Sequence, residues 1–107
     1  MIFVENIRMA YNIIIFPAAE TDTIEAHLFY EIQQAGLGER FLESVEESYH
    51  KLSQNPQYYS YISSEKDFRD IKIKDFPFVI IYQIIEDKVL VLRVFNTNRN
   101  PQILKRL

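Results

Sequence analysis

The chain contains no cysteine. That excludes a disulfide framework and a thiolate metal site, and it suits a reducing cytosol. Long hydrophobic runs are also missing: the apolar stretches are strand-sized, far below the roughly 20 residues that a membrane-spanning helix needs. The N-terminal MIFVENIRMAY has an early acid and no sustained apolar core, so no signal peptide is expected. Met9 offers an alternative start, under which residues 1–8 form an extension. There are no internal repeats, linkers or low-complexity segments. Both glycines fall in one tripeptide, Gly36-Leu37-Gly38. They form a turn, with no following lysine to suggest phosphate binding.

What remains is a 107-residue chain that is 48% hydrophobic and 14% aromatic, enough for one compact core and too little for two. Its formal charge of −3 is unevenly spread, with −7 accumulated up to Asp67 and +4 from Phe68 onward. A basic C-terminal half suits an anion or an acidic partner, whereas solubility alone explains it equally well. A pI near 5.3 does not point to a general nucleic-acid binder.

The most informative stretch is FPFVIIYQIIEDKVLVLRVFNTNRNP, residues 76–101. Phe78–Ile85 and Val89–Phe95 are two β-branched and aromatic runs separated by Glu86-Asp87-Lys88, which predicts a hairpin. Near-continuous apolar character, in place of strict alternation, predicts cover on both faces and a place at the centre of a sheet. Tyr82 is then a core residue.

Upstream, Tyr11–Phe16 reads as a strand ended by Pro17. Apolar residues at Ile24, Leu28, Ile32 and Ala35 have helical spacing and predict a helix over residues 18–35, capped at Gly36. Phe41, Val45, Tyr49 and Leu52 predict a second helix from Glu39 to Asn55-Pro56. A three-residue connection makes the two an antiparallel hairpin whose shared stripe faces the sheet. Residues 57–66 read as a tyrosine-rich loop that covers the core. In Phe68–Lys74, Arg69, Ile71 and Ile73 share one face of a strand, with Phe68, Asp70, Lys72 and Lys74 on the other. Arg69 on an apolar face suggests a structural ion pair with an acid of the helices. His27 and His50 lie on different helices without matched carboxylates, so no metal site is expected. Residues 102–107 read as a last helical turn. The fold class is α+β, a single small domain of order β-α-α-β-β-β with the αα hairpin packed on a mainly antiparallel sheet.

The order and spacing of Gly36-Leu37-Gly38 with Arg40-Phe41, Asn55-Pro56, Phe76-Pro77-Phe78 with Tyr82, and Arg99-Asn100-Pro101 resemble the RelE/ParE superfamily of type II toxins. The likeness runs from about Met9 to the end. It implies a cytoplasmic, plasmid-stabilisation type of toxin, without cofactor, metal or membrane, neutralised by a cognate antitoxin. RelE-like members cleave mRNA on the ribosome without a metal, and ParE-like members poison DNA gyrase; the fold does not choose between them.

Metal-free RNA cleavage requires a base for the 2′-hydroxyl, an acid for the leaving oxygen, and cations at the phosphate. The resemblance places these roles at positions where this chain has Asp70 and Lys72 on the first strand after the helices, Val79 on the hairpin, Arg99 in the following loop, and Lys105 in place of a C-terminal tyrosine. Asn96 stands where many relatives carry histidine, and an amide is no acid or base near neutral pH. Lys72 and Arg99 are thus the candidate catalytic residues, with Arg69, Lys74, Arg93, Lys105 and Arg106 as candidate binding residues. Gyrase inhibition needs no such set. The other readings are a catalytically inactive member that serves only to bind antitoxin, and an unrelated small binding domain. An acidic amphipathic antitoxin segment is expected over the basic sheet side or in a groove beside the αα hairpin.

Overall fold

In the computed structural model, residues 10–63 and 67–99 are described. Strand β1 (Asn12–Ile15) leads through Pro17 into helix α1 (Pro17–Gln33), and α2 (Leu37–Gln54) returns beside it. Four strands follow: β2 (Tyr61–Ser63), β3 (Phe68–Lys72), β4 (Phe78–Ile85) and β5 (Lys88–Asn96). They form one sheet of order β1-β5-β4-β3-β2, antiparallel except for the parallel β1–β5 pair. The expected α+β order therefore holds with one extra short strand. Residues 57–66 are not all loop: a 3₁₀ turn at Pro56–Tyr58 precedes β2.

The hairpin β4–β5 is central, as its composition predicts. Ile85 pairs with Lys88, so the turn is the two residues Glu86 and Asp87, with Glu86 at φ 55. Along β4, Phe78, Ile80 and Tyr82 enter the main core beneath the helices. Val79 and Ile81 join Phe95 in a second cluster with Ile62 and Phe68. Burial on both faces explains the unbroken apolar run, each large side chain contributing about 1.5–3 kcal/mol. In β5 the register shifts beside Leu92, since Ile81 pairs with Arg93 but Tyr82 with Val91. Val89 and Val91, and then Val94, consequently face the helices.

Tyr30, Phe41, Phe76 and Phe78 form the aromatic junction between hairpin and sheet, with the Tyr30–Phe76 and Phe41–Phe78 centroids 4.9 and 5.0 Å apart. Tyr82 is fully buried, and its hydroxyl donates to the Pro56 carbonyl at 2.7 Å. That bond ties the 3₁₀ turn to the middle strand, while burial pushes the phenol pKa upward.

Helix α2 buries Phe41, Val45 and Leu52, with Tyr49 half-buried, as its spacing predicts. Helix α1 departs from expectation. Its fully buried residues are Ala19 and Ala26, with Tyr30 partly buried at the aromatic junction, and Ile24, Leu28 and Ile32 are exposed. Small inner residues let the helix lie close to the sheet and to α2, and the large apolar stripe is left outside. The glycines also act differently from a simple cap. Gln34, in extended conformation, ends α1; Gly36, at φ 88, precedes α2, and Gly38 lies inside it. Glu31 accepts from the amides of Gly36 (2.9 Å) and Gly38 (3.0 Å), which holds its carboxyl below the usual range.

One carboxylate secures α1 to the sheet. β1 stops at Ile15, opposite Val91, so among the described residues the outer edge of β5 beyond that point has no strand neighbour. Asp22 takes its place: Oδ2 accepts from the Val94 amide at 3.0 Å and from Arg93 Nε at 2.7 Å, and Oδ1 from Arg93 Nη2 at 2.9 Å. The carboxylate raises the arginine pKa.

Two stability measurements follow. A Cβ on Gly38 would lie 2.6 Å from the His27 carbonyl oxygen and 2.8 Å from its Nδ1. Gly38→Ala should therefore destabilise by about 1–2 kcal/mol in urea denaturation, because overpacking against backbone outweighs the helical preference for alanine. In a double-mutant cycle of Asp22→Ala and Arg93→Ala, the coupling should be about 1 kcal/mol, since the arginine is partly exposed. Asp22→Asn should recover part of the loss by keeping an acceptor for Val94.

Candidate functional site

A concavity of about 460 Å³ lies between α1 and the C-terminal half of β5. Its position follows from the Asp22 joint, which holds the helix beside the strand where β1 no longer fills the edge. Ala26, Phe29, Phe78, Val94 and Phe95 supply an apolar floor; Glu25, Arg93, Asn96 and Arg99 supply the polar rim. The chain turns at Asn96, whose side-chain oxygen accepts from the Asn98 amide (2.8 Å) and whose carbonyl accepts from Arg99 (3.1 Å). This turn brings Arg99 to the rim. Asn96 is therefore a turn-former in this chain, a role that an amide fills well.

The other sequence-predicted site residues are dispersed. Lys72 is exposed on β3 opposite Val79, which in turn pairs with Phe95. Two buried apolar side chains thus occupy the row that leads from Lys72 across the sheet, and Lys72 does not line the groove beside Arg99. Its nearest charged neighbour in the strand is Asp70, whose carboxyl is pushed up by burial and drawn back by Lys72. Lys74 is exposed in the turn before β4. Lys105 and Arg106, the expected last helical turn and residues 1–8 lie outside the described residues.

Arg69 is engaged, but not in the expected ion pair with a helix acid. Its guanidinium donates to the carbonyls of Tyr59 (2.7 Å) and Gln57 (3.1 Å) and to the Tyr61 hydroxyl (2.8 Å), and lies 3.9 Å from the Tyr61 ring centroid. It braces the segment between α2 and β3. Among the described residues, the arginine that pairs with a helix acid is Arg93, and both its partner and its register were hidden in sequence by the bulge at Leu92. Within the tyrosine-rich segment, Tyr59 packs on the core, whereas Tyr58 and Tyr61 stay exposed.

Chemically, the groove offers a cation, a carboxylate and an apolar floor, a set suited to holding a side chain or a peptide segment. Among the described residues it contains no histidine and no pair of groups placed to share a proton between acid and base. Among the described residues no three His, Asp or Glu side chains gather as metal ligands, and no helix is long and apolar enough to cross a membrane.

Comparison with known proteins agrees with this architecture. A search of curated proteins returns no match. Among solved structures, the chromosomal ParDE toxin–antitoxin system from P. aeruginosa is similar, with a TM-score of 0.72 and 14% identity over 83% of this chain and 97% of that one. At that identity the likeness concerns the fold. The family model of the ParE toxin of the type II toxin–antitoxin system, parDE, matches residues 13–101, a span that takes in both helices, β2 to β5, all but the first residue of β1, and the loop bearing Arg99. The chain thus belongs to the ParE toxin family.

Proposed function

We propose that this protein is the toxin of a type II toxin–antitoxin module, that it arrests growth by binding DNA gyrase in the ParE manner, and that a cognate antitoxin neutralises it. The observation that carries the choice of binding over cleavage is the separation of Lys72 from Arg99, with Val79 and Phe95 between them in the sheet. Charge development at a scissile phosphate calls for cations and proton carriers converging on one point. Val79 at the hairpin position and Asn96 in its turn supply neither. A target-binding toxin needs no such convergence. It needs a rigid surface, and the doubly covered hairpin and the Asp22 joint support one.

The catalytically inactive, antitoxin-binding reading shares this lack of convergent groups. Inducible expression separates the two, because an active toxin stops growth and an inactive member does not. Two reactions then identify the target. Purified protein should inhibit supercoiling by gyrase, and in cell-free bacterial translation it should leave a reporter mRNA intact by primer extension. Codon-specific cleavage that disappears in Arg99→Ala would replace the gyrase reading with a ribosome-dependent nuclease. Growth arrest with neither activity would exclude both targets.

A further inference from the structure

Both helices pack on one face of the sheet, where Phe78, Ile80 and Tyr82 meet Phe41, Val45 and Leu52. A two-layer fold of this kind leaves the opposite face to water, and an antiparallel sheet then carries polar side chains there. In this chain the opposite face is apolar at its centre. Val79, Ile81 and Phe95 are 4, 0 and 8% exposed, as fully withdrawn from water as the core beneath the helices. The described residues packed against them are Ile62 of β2 and Phe68 at the start of β3, both only partly buried. In the rows that cross this face, Val79 stands between Lys72 and Phe95, and Ile81 between Asp70 and Arg93. Lys72 is exposed, and Asp70 is half-buried, with burial pushing its carboxyl pKa up. The centre of the face is thus covered, while its β3 margin is only partly so.

We infer that residues 100–107 of this chain dock on that face and cover Val79, Ile81 and Phe95, an inference that stands independently of the toxin reading. The segment supplies Ile103, Leu104 and Leu107. On a helical turn these three share one side, which leaves Lys105 and Arg106 on the other, toward water. Its starting point is also in the right place. The Thr97 amide and hydroxyl donate to the Pro77 carbonyl at 2.8 and 3.0 Å, and the Arg99 amide donates back to the Asn96 carbonyl at 3.1 Å. The chain therefore turns back at the end of the sheet where Val79 and Phe95 lie. From β5 across β4 to β3 is two strand spacings, about 10 Å, whereas eight residues span about 12 Å as a helix and up to about 26 Å extended. The other segments suit this face less well. Residues 64–66 are Ser-Glu-Lys and bring no apolar side chain. Residues 1–9 join the described chain at Ala10, beside the hairpin turn, since Asn12 pairs with Lys88; Phe95 is seven residues further along β5, about 24 Å away. A segment laid over Val79 and Phe95 also fills the row between Lys72 and Arg99, so the lack of convergent cations gains a steric counterpart.

The test is methyl NMR on the full chain labelled at Ile, Leu and Val, with a dissolved paramagnetic agent as the probe of exposure. Nuclear Overhauser contacts should run from Ile103, Leu104 or Leu107 to Val79 or Ile81, and the Val79 and Ile81 methyls should be shielded from the agent. In Ile103→Ser/Leu104→Ser that shielding should be lost and the melting temperature should fall by at least about 5 °C, the shift that goes with loss of a modest apolar contact in a domain of this size. Lys105→Ser/Arg106→Ser should change neither. Contacts from residues 103–107 to Ala26 or Phe29 would put the segment in the groove beside α1 and overturn the inference. Contacts from Ile2, Val4 or Ile7 to Val79 would give the cover to the N-terminal segment and overturn it equally. So would Val79 and Ile81 methyls that stay shielded in the folded double-serine variant, because the strands themselves would then supply the cover. If that variant does not fold, the Overhauser contacts of the unsubstituted chain decide. None of these results touches the gyrase reading, which stands or falls on growth arrest and supercoiling.

Discussion

A β-strand that outlasts its edge neighbour leaves peptide groups without partners, and much of this molecule depends on how one such edge is handled. β5 continues to Asn96, but β1 stops opposite Val91. Asp22 covers the next amide and grips Arg93 with the same carboxylate. The helix is thereby held beside the strand without filling the remaining edge, and the groove is the space left over. Had β1 continued, the edge would be paired and the groove closed. Had Asp22 been apolar, the Val94 amide would lack its partner at a cost of about 1–3 kcal/mol.

The parts of the fold legible in the sequence are those in which local pattern and burial agree. β4 and β5 are covered on both faces and read as continuous apolar runs; α2 buries the stripe that its period marks. The turn before α2 and the helix ends were located within a few residues. α1 was legible as a helix but not in orientation. Two stripes lie on it, a large one at Ile24, Leu28 and Ile32 and a small one at Ala19 and Ala26. Hydrophobicity alone selects the large stripe as the core. Close helix packing selects the small one, with Gly38 as its counterpart on α2.

The candidate site was legible only in part. Arg99 was identified, and its loop does reach a groove. The roles assigned to arginines were exchanged, because pairing partners depend on tertiary register. Arg69 lies two strands away from the α1 acids and instead braces the tyrosine segment through the carbonyls of Tyr59 and Gln57. Arg93 reaches Asp22 only because the bulge beside Leu92 resets the pleat, and no sequence pattern announces that slip.

Inside-out construction of α1 separates two requirements that usually compete for the same residues. Volume on the inner side is fixed by the approach of α2 and the sheet, so Ala19, Ala26 and Gly38 tolerate little change. Among the described residues, the outer positions are more than half exposed. Ile24, Leu28 and Ile32 can therefore change identity while the scaffold keeps its stability. A surface of that kind can change its character one side chain at a time without passing through an unfolded intermediate sequence.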